Sequence, residues 1–365
     1  MKNKLQEYFP VIRTREEIVD EIRRDQKLLE IYRSWTEEEQ KEYLDMCSGV
    51  KGIKLLYDSF FKVIMNPDTR PERLNEFLTE ILGRKVRILK VLPNESARIA
   101  AESSLLVMDL VVQFEDGSLA NVEVQKIGYR FPGQRSACYS ADLLLRQYKR
   151  GREELGKKFD YREIRQVYTI VLFEKSRREF RDFSKEIYIH RFKQKSDTGV
   201  ELDLLQEYTF ICLDIFRDVV QNEGREIKDG LEEWLVCLSE DDPKMILRLI
   251  EKNPKFRQVY EEAYQLCLDN ERVMEMFSKE LEILDRNTVR LMIDDMREEI
   301  AAQKAELAKK EEAEREAART QKAERAKKEE AEREAAREKK RADEAEKENA
   351  ELRKELEELR KQMHS

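Results

Sequence analysis

Apolar and polar residues change rhythm several times along this 365-residue chain, and each change marks an element. Residues 1–50 (EEIVDEIRRDQKLLEIYRSW, then TEEEQKEYLDM) place apolar side chains three and four apart among charges, which predicts a helical N-terminal extension packed on the neighbouring segment. From Lys54 the pattern shifts: DSFFKVIM is a short apolar helix, NPDTRP breaks it, and PERLNEFLTEIL opens with Pro71 at the first helical position and stops at Gly83. VRILKVL (86–92) and LLVMDLVVQF (105–114) read as strands, followed by the turn EDG and the strand LANVEVQ (119–125). A helix over about 132–150, the strand QVYTIVLFE (166–174) and the run DLLQEYTFICLDI (203–215) complete an α/β unit ordered helix, strand, strand, strand, helix, strand. Residues 217–296 return to helical spacing, and from about Arg297 the chain reads as one long charged helix. Four segments are expected: 1–50, 51–216, 217–296 and 297–365.

The stretch MDLVVQFEDGSLANVEVQK (108–126) holds acids inside its strands, and its loop length decides where they point. A two-residue turn of Asp116 and Gly117 opposes Leu110 to Glu123 and Val112 to Asn121, mixing apolar and polar side chains on one face. A three-residue loop, Glu115 to Gly117 with Gly117 in the left-handed position of a G1 bulge, sorts them. Met108, Leu110, Val112 and Phe114 then share a face with Val124, Val122 and Ala120. The other face carries Asp109 opposite Glu123, Gln125 opposite Val107, and Asn121 alongside. Opposed carboxylates, with Cβ atoms about 4.5–5.5 Å apart, repel unless a cation lies between them. A hard divalent ion such as Mg²⁺ takes carboxylates, backbone carbonyls and waters, and the carbonyl of Val124 is placed to be one more oxygen. The alternative is a solvated sheet face, on which acids are common.

Composition narrows the function classes. Charged residues make up 41% of the chain, far above an ordinary globular protein, and residues 301–365 hold about 19 acids and about 19 bases, which leaves the net charge of -8 on residues 1–300. A mildly acidic folded part argues against general adhesion to nucleic acid or an anionic membrane while allowing a local basic stripe. The five cysteines are scattered and there are two histidines, so a zinc site is not expected. No phosphate-cradling glycine motif occurs. No window approaches a membrane span and MKNKLQEYFP has no apolar targeting core, so the expected location is a reducing cytoplasm, away from the membrane.

Three stretches together resemble the PD-(D/E)XK nuclease superfamily, in its branch of PD-(D/E)XK nuclease family transposases or recombination-promoting nucleases. They are DSFFKVIMNPDTRPERLNEFLTEILGRKV (58–86), MDLVVQFEDGSLANVEVQK (108–126), and GQRSACYSADLLLRQYKRG (133–151) before the strand in YREIRQVYTIVLF. The resemblance covers roughly residues 50–215 and implies a restriction-endonuclease-like α/β core, a mixed central sheet flanked by helices. It further implies a metal-dependent DNA endonuclease in which Asp109 and Glu123 match the two metal-binding acids. Gln125 matches the position of the family's lysine, and an amide can only hydrogen-bond where a lysine would orient water and stabilise negative charge. Lys126 is adjacent, yet strand alternation points it to the opposite face. In the helix after the hairpin, Arg135, Tyr139, Arg146 and Lys149 line one stripe, either a phosphate-binding surface or a solvated face, and Ala137, Ala141, Leu144 and Tyr148 line another. Arg135, with Gln134 beside it, is the favoured contact to the scissile phosphate. Glu76 and Glu80 are alternatives for a third acid. A transposase of RNase H-like fold fits less well, because a tight hairpin without a third spaced acid is not its pattern.

The tail supports a competing reading, a catalytically weak or inactive nuclease fold that serves as a DNA-binding or coiled-coil interaction module. KKEEAEREAAR occurs at 309–319 and again at 327–337, a repeat of 18 residues or five helical turns. Farther on, Ala342, Ala345, Asn349, Leu352, Leu356, Leu359 and Met363 alternate at three and four, with Asn349, Leu356 and Met363 at a and Leu352 and Leu359 at d. Every g-to-e pair of a parallel dimer from Lys327–Glu332 to Glu355–Arg360 is opposite in charge, so a parallel homodimer through residues 342–363 is expected.

Overall fold

The computed structural model describes residues 2–92, 110–126, 132–221 and 225–363. These form two compact units, Met1–Met292 and Ile293–Ser365.

In the first unit, four short helices, α1 (Lys4–Tyr8), α2 (Arg15–Arg24), α3 (Gln26–Ser34) and α4 (Glu37–Cys47), precede α5 (Asp58–Ile64) and α6 (Pro71–Leu82). Thr14 with Glu17 and Thr36 with Glu39 close capping boxes at the starts of α2 and α4, each satisfying backbone donors the helix cannot use. Pro71 begins α6 and Gly83, at φ 65°, ends it, as the sequence predicts.

The sheet runs in the order β1-β2-β3-β4-β6-β5. Its strands are β1 (Ile88–Leu92), β2 (Leu110–Phe114), β3 (Leu119–Gln125), β4 (Val167–Phe173), β5 (Ile189–Lys193) and β6 (Gln206–Cys212). The first three strands are antiparallel; β3, β4 and β6 are parallel, with α7 (Pro132–Leu155) crossing between β3 and β4. The sheet is therefore mixed and flanked by helices. Between β4 and β5 lies α8 (Arg178–Phe183); α9 (Leu213–Gln221), α10 (Gly230–Ser239), α11 (Pro243–Lys252), α12 (Lys255–Leu266) and the start of α13 (Asn270–Met363) come after β6.

The hairpin adopts the three-residue loop. Leu110 pairs with Val122 and Val112 with Ala120, the Phe114 amide donates to the Ser118 carbonyl at 2.9 Å, and Gly117 sits at φ 85°. Arg84 pins the loop from outside, donating to Asp116 at 2.9 Å and to Ser118 and the Tyr168 hydroxyl at 3.2 Å. One face of the sheet, through Val112, Phe114, Ala120, Val122, Ile170 and Leu172, belongs to a core shared with the N-terminal and C-terminal helices of this unit. Aromatic contacts join them: Phe9 to Tyr264 at 5.5 Å, Trp35 to Phe277 at 5.0 Å, and Phe77 to Trp234 at 6.1 Å.

Four expectations change. The second sheet face is covered, not solvated: α7 packs there on Val111, Leu119 and Val167. It does so through Ser136, Tyr139, Ser140, Leu143 and Gln147, while Ala137 and Ala141 are exposed, contrary to the predicted apolar stripe. Small serines permit close approach, and the Gln147 amide exchanges hydrogen bonds with the Arg165 backbone at 3.0 and 2.8 Å, imitating a strand neighbour. The helix α8 and the strand β5 are additions to the elements expected from the sequence. The last helix begins at Asn270 rather than near Arg297, since no glycine or proline interrupts the sequence between them.

Lys126, the residue after β3, points to the core face as alternation requires. Its Nζ lies 2.9 Å from Glu174, 3.0 Å from Glu280 of α13 and 4.3 Å from the centre of the Tyr57 ring, and both Lys126 and Glu280 are buried.

This geometry sets the stability of two variants. Gly117→Val costs about 1–2 kcal/mol, because a β-branched residue fits the left-handed region poorly and a Cβ there meets Arg165 Cγ at 3.1 Å; Gly117→Asn costs less, as urea unfolding will show. Lys126→Met costs about 3–5 kcal/mol, because it removes the buried cation that lies beside both Glu174 and the buried Glu280. Adding Glu280→Gln recovers part of that loss in the same assay.

Candidate functional site

The second face of β3 carries a polar strip. Asn121, Glu123 and Gln125 are all buried, as is Thr169, the β4 neighbour of Asn121. Glu123, 1% exposed, accepts from the Gln125 amide at 3.0 Å and, more weakly, from Asn121 Nδ2 at 3.5 Å. Both donors are neutral and both hold the carboxylate from its own strand. Burying an ionised carboxylate is costly without such donors or a cation. Asn121 Oδ1 and Thr169 Oγ1, fully buried, have no hydrogen-bond partner among the described residues, so the strip retains unused oxygen acceptors beside Glu123. Thr169 is not among the site residues expected from the sequence; the signal for it is a polar residue in the otherwise apolar run VYTIVLF.

Gln125 spends its amide on Glu123. Lys126 takes no part on this face, because its ammonium is held by Glu174 and Glu280 on the other. Val124, between Glu123 and Gln125, turns its side chain toward the core. Asp109, the other expected acid, lies outside the described residues.

On α7, Gln134 and Lys149 are exposed, Arg135 and Arg146 half-buried, and Tyr139 buried at 1% exposure. Arg135 Nε donates to the Tyr139 hydroxyl at 2.6 Å and its guanidinium lies 5.3 Å from that ring's centre, so a buried tyrosine orients the arginine. Arg146 pairs with Asp142 at 2.8 Å; burial raises the Asp142 carboxyl above its ordinary pKa, and the arginine opposes that shift. Glu76 and Glu80 of α6, the alternatives for a third acid, face the helices after the sheet. Glu76 pairs with Lys255 of α12, and the Glu80 carboxylate packs over Gly230 at the start of α10.

Among the described residues no group of three or more His, Cys, Asp or Glu side chains is gathered to hold a metal. The side-chain donors of the strip itself, on Asn121, Glu123, Gln125 and Thr169, are nonetheless all oxygens and amides, which suits a hard cation such as Mg²⁺ or Ca²⁺ over a softer one. No described helix is long and apolar enough to cross a membrane.

No curated protein and no solved structure matches the chain. A family model does match, over residues 55–291, which take in the hairpin, the α7 crossover, the parallel strands and the helices after them. The chain belongs to that family, the PD-(D/E)XK nuclease family transposases.

Proposed function

We propose that this protein is a metal-dependent DNA endonuclease that hydrolyses phosphodiester bonds at the second face of β3. The observation that carries the reading is the hairpin register: Leu110 pairs with Val122, which turns Asn121, the buried Glu123 and Gln125 together onto the second face. In this reading Asp109, Glu123 and the Val124 carbonyl are the oxygen ligands of Mg²⁺ or another divalent cation. When bound, that ion supplies charge to polarise the phosphate and lower the pKa of the attacking water. Asn121 and Gln125 fix the Glu123 carboxylate, so its oxygens need little reorganisation as charge develops. Arg135, held by Tyr139, contacts the scissile phosphate, while Gln134, Arg146 and Lys149 continue along α7 toward flanking phosphates. Gln125 assists as a hydrogen-bond donor only, so proton transfer falls to solvent, and a modest rate is expected.

The tail supports a second element of the proposal. Leu352 and Leu356, on the seam set by the heptad spacing, are 52% and 57% exposed. A parallel homodimer through residues 342–363 covers it, with Asn349 selecting two in-register strands, and brings two nuclease units to one DNA. The five cysteines are free and four are buried, which supports a reducing compartment such as the cytoplasm.

Plasmid cleavage by the full chain with and without Mg²⁺ tests the nuclease reading. Asp109→Asn and Glu123→Gln each abolish cleavage while leaving the metal-free melting temperature unchanged or slightly higher; full activity in either variant sinks the ligand assignment. If the wild-type chain cuts nothing with any divalent ion, the interaction-module reading replaces it.

For the tail, sedimentation at about 100 μM finds the wild-type chain dimeric, with a dissociation constant near or below about 1 μM. Leu352→Asp combined with Leu356→Asp yields a monomer. A monomeric wild type leaves the tail a solvated single helix, stabilised by its own Glu–Lys and Glu–Arg pairs.

A further inference from the structure

Phe183 and Phe192 are 70% and 50% exposed, and they are the exposed phenylalanines among the described residues. They lie together. The Phe183 ring is 5.8 Å from that of His190, and the Phe192 ring is 5.5 Å from that of Phe210, in both cases edge to face. Phe180, one turn before Phe183, anchors α8 by packing on Phe173 and Phe210 at 5.6 and 5.7 Å. This leaves Phe183 standing out from the end of the helix.

The register ties this surface to the candidate site. Glu123 pairs with Val171, Val171 with Phe210, and Phe210 with His190, so a single row of side chains crosses the second face from Glu123 to His190. The next row runs from Asn121 through Thr169 and Tyr208 to Phe192. Three strand spacings separate the ends of each row, about 14 Å.

Residues 175–195 hold eight Lys or Arg and three Asp or Glu, on a chain whose net charge is -8. Some of these cations serve the fold: Arg178 pairs with Asp182, Lys193 with Glu207, and Arg191 donates to the Ile81 carbonyl. Arg181 and Lys185, either side of Phe183, have no acid partner within ion-pair distance in the described structure. They share a groove with Asp214 and Asp218 of α9, and those acids would repel a polyanion on that side and confine it to the side of the exposed rings.

We infer that Phe183 and Phe192, with Arg181 and Lys185, form a stacking platform that takes up single-stranded DNA on the same sheet face as Glu123. Isolated exposed aromatics are ordinary. Two exposed phenyl rings on one aromatic cluster, with cations two residues either side of one of them, are the chemistry that binds unpaired bases and their phosphates together, and a fully paired duplex offers no base face to stack on. The inference rests on the nuclease reading for its choice of DNA, and it implies a substrate with an unpaired flank beside the scissile bond.

The test is fluorescence anisotropy of a labelled oligothymidylate of about 12 nucleotides with the full chain in EDTA, so that binding is read without cleavage. Phe183→Ala and Phe192→Ala each weaken binding about 5- to 150-fold, and Phe→Leu at either position does not restore it. Arg181→Ala and Lys185→Ala each lower the salt dependence by about 0.7. Unchanged affinity in both alanine variants overturns the inference, as does full recovery with leucine, which would mark an apolar docking patch for a protein. Tighter binding of an oligouridylate of equal length overturns the choice of DNA. Unchanged melting temperatures in the variants exclude misfolding as the cause of lost binding. Plasmid cleavage by the wild-type chain separately decides the nuclease reading, so either can fail alone.

Discussion

The left-handed backbone at Gly117 is the constraint on which the site geometry depends. A β-hairpin has only two possible parities, and the loop chooses between them. With three residues in the loop and the last at φ 85°, the apolar set of both strands enters one core and the polar set of β3 turns as a block to the other face. The parallel partners then propagate that choice. Thr169 joins Asn121, and the row through Glu123 reaches as far as β5, because each strand inherits its facing from its neighbour. A change of one residue in the loop would send Glu123 into the core and Val122 to the site.

Much of this was legible in the sequence because strand alternation is strict and an incorrect register leaves carboxylates among valines. Pro71 and Gly83 were legible for similar reasons, each being suited to one end of a helix. What escaped reading had weak local signals. The strand β5, IHRFK, is an edge strand with half-buried and exposed residues, so its apolar pattern is faint. The buried stripe of α7 is partly serine and glutamine, whose burial depends on bonds to Arg165 and Gln206 that sequence spacing does not encode. The start of α13 was hidden because a core-packing segment runs into a charged one without a breaker. Of the two expected site acids, Glu123 is buried on the second face, and Asp109 lies outside the described residues.

The side-by-side residues Gln125 and Lys126 divide two tasks by parity alone. The amide remains on the polar face as a donor to Glu123, and the ammonium is committed to Glu174, Glu280 and the Tyr57 ring in the core. Moving the lysine into the site would take a cation from the buried Glu280 and the half-buried Glu174 on the other side, a cost of several kcal/mol. The amide and the cation beside it thus serve different faces, and the charge next to Gln125 is already part of the fold.

The repeated KKEEAEREAAR segment has a geometric consequence of its own. Eighteen residues complete five whole turns of a straight α-helix, a rise of about 27 Å. Gaining or losing one copy therefore changes the reach of the helix while returning every later residue to the same angle about its axis. Tail length can vary by copy number, through unequal exchange between the two tandem coding units, without rotating the leucine seam beyond them.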